Sequence, residues 1–233
     1  MFRWTVRICS ATCVILIASA LWLWGAMEVR GHFETVLPLT FVGVIWLVIS
    51  QQLFSWFGVS VRDDAVERKN PAALVALCGA TVAVAIIYAA GNLGEGPSYL
   101  ENVFSSGLGT LGFFGLWLLL ELVWNVSNSI VEERDPASGL RLGAYLLATG
   151  LIFGRAVAGD WHSEIATVRD FMRDGWPAIP LWFMALIFET MLRPSRHRPF
   201  PAWRRCGLLP SMLYLGIAVV WVCVLGRWEG MPR

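Results

Sequence analysis

The sequence predicts an all-α fold, a polytopic membrane helical bundle of about seven transmembrane helices. Of its 233 residues, 57% are hydrophobic and only 15% are charged, and the mean hydropathy is +0.61. A soluble domain is typically about half apolar and about a quarter charged, so this composition indicates a chain embedded in lipid. The sequence also predicts an internal parallel repeat of two-helix hairpins, in which the second copy follows the first at an offset of 65 residues.

Seven apolar segments approach or reach the length of about 17–25 residues that a transmembrane helix needs. They are residues 8–27, 36–57, 71–90, 103–124, 136–158, 177–192 and 208–225. The first could be a signal peptide, since Ala18-Ser19-Ala20 resembles a cleavage site. The apolar run continues through Trp24, however, and this favours an uncleaved anchor.

An outer segment, residues 160–176, separates the fifth and sixth apolar segments. Apolar residues recur in it at spacings of four, three and four, namely Trp161, Ile165, Val168 and Met172. This period predicts an amphipathic helix that lies on the outer membrane surface or over the bundle.

The repeat is clearest in two charged turns that each precede a proline. Val66-Glu67-Arg68-Lys69-Asn70-Pro71-Ala72 corresponds to Val131-Glu132-Glu133-Arg134-Asp135-Pro136-Ala137. The offset is 136 − 71 = 65, and it continues without a gap to Gly94-Glu95 and Gly159-Asp160. Because each copy contains two spans, both copies should enter the membrane from the same side, related by an axis along the membrane normal.

The third and fifth apolar segments should begin as capped helices. Asn70 and Asp135 are suitable N-caps, and Pro71 and Pro136 occupy the first helical position, where a missing N–H costs nothing. Small residues follow each proline, including the pair at positions 139 and 143. Such residues allow close helix approach in lipid, so we expect these two helices to cross near the centre of the bundle.

Three parts of the chain follow from this pattern. Residues 1–35 form an N-terminal anchor helix and an outer loop, and residues 36–161 form a duplicated four-helix core. Residues 162–233 hold the outer amphipathic segment and two further membrane helices.

The two helix starts resemble a bacterial inner-membrane family, domain of unknown function 350. Lys69-Asn70-Pro71-Ala72-Ala73 and Arg134-Asp135-Pro136-Ala137-Ser138-Gly139 each open a small-residue helix, and the second unit carries Gly143 and ends near Trp161. The resemblance covers about residues 36–161. It implies a small polytopic membrane protein with tandem two-span units, and it implies no established reaction.

Four ionisable residues fall within the apolar segments, where charge is expensive and often functional: Glu121, Arg141, Arg155 and Glu189. Glu121 and Arg141 lie at similar distances from the second charged turn, so we expect them to pair on neighbouring helices. That pair is either structural or part of a conduction path.

The other two intramembrane charges have local explanations. Arg155 is expected to reach Asp160 or lipid headgroups by extending its side chain towards the outer surface. Glu189 precedes Arg193 by four residues, a favourable order for an ion pair along one helix.

The basic residues predict the orientation. Eleven of those in loops fall on one side of the predicted membrane and five on the other, so the N-terminus is expected inside and the C-terminus outside. Five of the eleven form an inner basic contact face: Arg193, Arg196, Arg198, Arg204 and Arg205. This face is expected to attract anionic lipid headgroups or to dock a cytoplasmic partner.

Chemistry of the protein's own is not expected. His32 and His162 could meet Glu34, Asp160 and Glu164 in a metal or haem site, but nothing in their spacing requires this. No catalytic triad, phosphate loop or metalloprotease motif is present, so an enzyme is not predicted. No cofactor is expected, although bound lipid is possible, and the net charge of +1 gives no support to nucleic-acid binding.

Two functions remain open. The favoured hypothesis is a structural or partner-binding subunit of an inner-membrane assembly, working as a homo-oligomer or within a larger complex. The alternative is an oligomeric channel or transporter for a small ion or cation that uses Glu121 and Arg141.

Overall fold

The chain is all-helical in the computed structural model, which describes residues 2–95, 99–160, 163–194 and 202–227 and contains no strand in those ranges. The α-helices are α1 (Phe2–Trp24), α2 (Phe33–Leu53), α3 (Pro71–Ala90), α4 (Tyr99–Trp124), α5 (Val126–Val131), α6 (Pro136–Val157), α7 (Glu164–Gly175), α8 (Ala178–Leu192) and α9 (Leu209–Leu225). A 3₁₀ turn, Phe54–Phe57, follows α2, and π-helical segments, Val61–Glu67 and Trp203–Leu208, precede α3 and α9.

Six of these helical segments are long and apolar enough to cross a membrane, and a bent pair supplies a seventh candidate. The bent pair is α7 with α8, whose axes differ by 44°. The helix α8 has 15 residues, which corresponds to about 22 Å, and so it is short for a span by itself. The prediction of an all-helical polytopic bundle is confirmed.

The helices α3 and α6 begin with the predicted caps. The Asn70 side-chain oxygen accepts hydrogen bonds from the backbone N–H groups of Ala72 and Ala73, the second and third residues of α3, at 3.0 and 3.4 Å. The Asp135 carboxylate does the same for α6, at 3.2 and 2.8 Å. Because Pro71 and Pro136 have no N–H, each cap satisfies the first donors that its helix presents.

The turns before these helices also have the same backbone geometry. Lys69 and Arg134, which are 65 residues apart, have φ of 51° and 56°. The next residue in each turn donates its backbone N–H to the carbonyl six residues earlier, at 3.0 Å in both cases. The duplication itself remains a prediction from the sequence, but its two charged turns share one local structure.

The helices α3 and α6 lie side by side and run parallel, with almost no side chain between their backbones. A Cβ added to Gly139 would lie 2.4 Å from the Ala72 carbonyl oxygen, and one added to Gly79 would lie 2.3 Å from the Gly143 carbonyl oxygen. Neighbours at both ends of the seam have the same sequence separation, since 139 − 72 and 150 − 83 both equal 67, as parallel helices require. The predicted close approach through small residues is therefore present.

The remaining helices surround this pair. The helix α1 packs against α3, whereas α9 packs against α6. The helix α7 forms in the predicted outer segment, and the described residues of its predicted apolar stripe are exposed while other residues pack on the bundle. Ile165 is 75% exposed, whereas Phe171 is buried with its ring centroid 5.0 Å from that of Phe153. Apolar spacing identified the helix, but in a membrane protein an apolar face need not turn towards protein. Trp161, the first residue of that predicted stripe, lies outside the described residues.

Candidate functional site

A fully buried arginine on α6 is the centre of the candidate site. Arg141 has 0% of its surface exposed, and its guanidinium forms a two-point ion pair with Glu189 of α8. The Arg141 Nε–Oε1 and Nη2–Oε2 distances are 2.7 and 2.8 Å. The planar fork of arginine suits this bidentate geometry, which is among the stronger hydrogen-bonded arrangements in proteins.

Two further hydrogen bonds hold the guanidinium. Nη2 donates to the Ser138 hydroxyl at 3.0 Å, and Nη1 donates to the Cys206 carbonyl at 2.6 Å. The Cys206 carbonyl is available because the residue four positions later is Pro210, which has no N–H to donate to it. The arginine therefore connects α6 with α8 and with the segment that leads into α9.

The N-cap of α6 belongs to the same network. The Ser138 hydroxyl donates to the Asp135 carboxylate at 2.7 Å while it accepts from Arg141. A second carboxylate thus lies one hydroxyl away from the guanidinium. We call the set Asp135, Ser138, Arg141, Glu189 and Cys206 the Arg141 network.

The predicted pair of Glu121 with Arg141 is wrong. The Glu121 carboxylate instead accepts hydrogen bonds from the backbone N–H of Ser127, at 3.1 Å, and from the Ser127 hydroxyl. Asn125, with φ of 45°, separates α4 from α5 by a left-handed turn, and the start of α5 lies at this carboxylate. The prediction rested on similar distances from the second charged turn, and such distances do not decide which face of a helix meets which neighbour.

The predicted pair of Glu189 with Arg193 is also wrong. Glu189 is 4% exposed and bonds to Arg141, whereas the Arg193 guanidinium lies over the Trp124 ring, 5.6 Å from its centroid. Since Arg193 ends α8 and has extended backbone, its side chain leaves the helix face that Glu189 occupies.

Arg155 does not reach Asp160. Its guanidinium donates to the carbonyls of Leu225, Gly226 and Arg227, at 3.5, 3.2 and 3.3 Å, and so it caps the end of α9. Asp160 accepts from the backbone N–H of Glu95 at 2.9 Å. Carbonyls that lack helical partners at a C-terminus are good acceptors for a cation.

The predicted inner basic face is described in part. Arg204 lies over Trp203, 5.6 Å from the ring centroid, and Arg205 is exposed beside it. Arg196 and Arg198 lie outside the described residues. Arg193 and Arg204 each lie over a tryptophan ring, which is a common arrangement at a membrane interface.

The histidine site that the sequence leaves open is tested only in part. His32 is exposed, with its Nδ1 3.5 Å from the Glu34 carboxylate, and His162 lies outside the described residues. Within the described ranges no group of three or more His, Cys, Asp and Glu side chains is arranged to hold a metal ion.

The sequence did contain signals of the Arg141 network. Ser138 and Arg141 are three residues apart and therefore share a helix face. Pro210 marks the Cys206 carbonyl as an acceptor without a helical donor. What the sequence could not supply was the packing of α8 on α6, which brings together residues 48 positions apart.

The family comparison can now be added to this geometry. Residues 30–157 match the model of the family described as Domain of Unknown Function (DUF350), which is more than half of the chain. The chain belongs to this family. No curated protein and no solved structure matches it.

The family match divides the Arg141 network. The DUF350 region begins before α2 and ends with α6, so it includes Asp135, Ser138 and Arg141. Glu189 and Cys206 lie beyond it. The network therefore joins the DUF350 core to the C-terminal helices of this chain.

This arrangement is suited to holding helices together. Moving the Arg141 side chain would cost much free energy. The Glu189 carboxylate and the Cys206 carbonyl would each lose a hydrogen-bond partner in a low-dielectric interior. The partners also fix the register of α8 and α9 against α6.

Proposed function

We propose that this DUF350 protein is a non-enzymatic membrane subunit that acts by holding a rigid helical surface for partner chains. The observation that carries the proposal is the Arg141 network, in which four hydrogen bonds fix the buried charge in place, two of them forming the ion pair with Glu189. The closed α3–α6 seam supports it, because backbone atoms there approach too closely to leave a path for an ion.

The remainder of the charge distribution also favours a structural role. Glu121 caps the start of α5, and Arg155 caps the end of α9. Charges that are satisfied by nearby backbone groups are poor elements for a conduction pathway, which needs groups that exchange partners. We propose that no cofactor is required.

We further propose that the end of the bundle where α3 and α6 begin, the capped end, faces the cytoplasm of a bacterial inner membrane. The excess of basic residues at this end supports the assignment. Reaction of membrane-impermeant maleimide with a cysteine introduced at Arg62 in inverted but not right-side-out vesicles is the expected result. The opposite labelling would reverse the orientation.

The test of a subunit against a channel is a paired measurement on purified protein. Native mass spectrometry should give assemblies larger than one 25.9 kDa chain, and liposomes holding the protein should show no ion flux above empty liposomes. Charge reversal at Arg204 and Arg205 should reduce assembly or partner recovery, whereas reversal at Arg62 should not.

A conduction path would give the opposite outcome. Ion flux that Glu121→Gln abolishes, in a variant that stays folded, would overturn the proposal and favour the channel. Glutamine keeps one side-chain oxygen for the Ser127 N–H, so this variant changes charge with little loss of the cap.

A further inference from the structure

A cleft with an unusual polar end lies among α2, α3 and α4, at the end of the bundle opposite the capped end. Its volume is about 360 Å³, which is within the range of small-molecule sites. The lining residues are Glu34, Thr35, Pro38, Leu39, Val42, Tyr88, Asn92, Asn102 and Val103.

The apolar wall of the cleft is fixed in place. The Tyr88 hydroxyl donates to the Leu39 carbonyl at 2.6 Å, and the Tyr88 ring lies 5.8 Å from that of Trp46. Gly43 leaves room for this ring, since a Cβ there would lie 2.7 Å from Tyr88 Cε1. A preformed wall lowers the cost of ordering a bound apolar chain.

The polar end offers more hydrogen-bond acceptors than donors. The Asn92 amide nitrogen donates to the Tyr88 carbonyl at 2.8 Å, so its amide oxygen is left as an acceptor. Pro38 has no N–H to offer to the Glu34 carbonyl four residues earlier. Asn102 is only 8% exposed, and no hydrogen bond joins its side chain to another described residue.

The cleft also carries negative charge. The Glu34 carboxylate lies at the mouth, with the His32 Nδ1 atom 3.5 Å from its Oε1 atom. Acceptors and a negative charge next to an apolar wall match a ligand with an ammonium head and a hydrocarbon body.

We propose that the cleft is a binding site for a phospholipid with an ethanolamine head group. One acyl chain lies along Leu39, Val42 and Val103, and the primary ammonium donates its N–H groups to Glu34 and to the asparagine amides. The bilayer around the helix ends supplies such a molecule. Phosphatidylcholine keeps the positive charge of the head group but has no N–H to donate. Phosphatidylglycerol has no positive charge, so neither lipid fits the polar end.

The experiment measures lipid retention by native mass spectrometry and the thermal shift in detergent. Purified protein is mixed in turn with dioleoyl phosphatidylethanolamine, phosphatidylcholine and phosphatidylglycerol. The ethanolamine lipid should be retained selectively. Glu34→Gln should weaken its retention by about tenfold, the effect of losing one charged hydrogen bond. Asn102→Leu should also weaken it.

Matched variants separate the site from the general surface. Val103→Trp should block the cleft, whereas Val123→Trp on the exposed face of the same helix should not. Glu28→Gln, a charge-neutralising change outside the cleft, should leave retention unchanged. The thermal midpoint without lipid shows whether each variant is folded.

Three outcomes would overturn the proposal. Equal retention of all three lipids would show apolar adsorption only, and retention that survives both Glu34→Gln and Val103→Trp would place the lipid elsewhere. Loss of a dimer instead of a lipid in Val103→Trp would assign the cleft to a second copy of the chain.

Discussion

At four corresponding positions of their buried faces, the side chains of α3 are apolar and those of α6 are polar or charged. Ala73, Ala76, Ala80 and Val84 on α3 correspond, at the offset of 65, to Ser138, Arg141, Tyr145 and Thr149 on α6. All eight are buried. One helix therefore presents small apolar side chains where the other presents hydroxyls and a charge.

The difference shows that the buried charge is not needed to form the helix. Both helices have an N-cap, a proline and a parallel neighbour, and α3 achieves this without any ion pair. The charge on α6 instead serves contacts made later in the chain, with α8 and with the segment before α9. Small residues on α3 allow close packing. Arg141 instead holds its partners in place through several hydrogen bonds, each of which requires a particular direction.

The caps show the same contrast on a smaller scale. Asn70 accepts from α3 and also donates from its amide nitrogen to the Ile130 carbonyl, at 2.7 Å. Asp135 cannot donate in this way, and its second oxygen accepts from the Ser138 hydroxyl. The two N-cap side chains thus make different contacts beyond the cap itself.

The largest expected effect comes from removing one partner of the ion pair. Glu189→Ala leaves Arg141 buried without its counter-charge and should lower the free energy of unfolding by about 3–5 kcal/mol. The double variant Arg141→Met/Glu189→Leu should recover most of that loss, because it removes both charges and keeps the volume.

Thermal unfolding in detergent measures this difference, with Thr190→Ala on the exposed side of α8 as control. If the double variant were as unstable as Glu189→Ala alone, the lost stability would come from packing. The buried charge would then not explain the difference between α3 and α6.

The seam between α3 and α6 should be sensitive to added side-chain volume on either helix. Gly79→Ala and Gly139→Ala each place a Cβ against backbone of the other helix and should cost about 1–3 kcal/mol of unfolding free energy. Gly115→Ala is the matched control, since nothing lies within 4 Å of its new Cβ. Equal midpoints for seam and control variants would argue against close approach of α3 and α6.

Exchanging the caps should be asymmetric. Asn70→Asp deprives the Ile130 carbonyl of its buried donor and faces it with a carboxylate, which should cost about 1–3 kcal/mol. Asp135→Asn keeps a side-chain oxygen for the start of α6 and should cost less, about 1 kcal/mol. The two midpoints in thermal unfolding decide it, and similar losses would show that the two caps are interchangeable.

The smallest expected effect concerns the end of α9. Arg155→Ala removes the donor to three carbonyls and should destabilise that end by about 1 kcal/mol. Hydrogen exchange should accelerate at the last amides of α9 and remain unchanged at α3. Arg169→Ala on the exposed face of α7 is the control, and unchanged exchange at α9 would exclude a capping role for Arg155.

Sequence alone determined the class of fold and the helix starts. Apolar length predicted the membrane helices, and Asn70-Pro71 and Asp135-Pro136 predicted the capped starts of α3 and α6. These features depend on residues within one turn of each other, so their physics is local. The same two sequence segments also indicated the family, which the family model matches.

Only the tertiary structure decided which charges meet. Glu121 and Arg141 were predicted to pair because they lie at similar distances from the second charged turn, but a helix can turn any of its faces to any neighbour, and the sequence does not record that rotation. Glu121 bonds to Ser127 instead, and the packing of α8 on α6 brought in Glu189. Partners 48 residues apart are chosen by how whole helices pack, since burying a charge is tolerable only where a complete set of partners assembles around it.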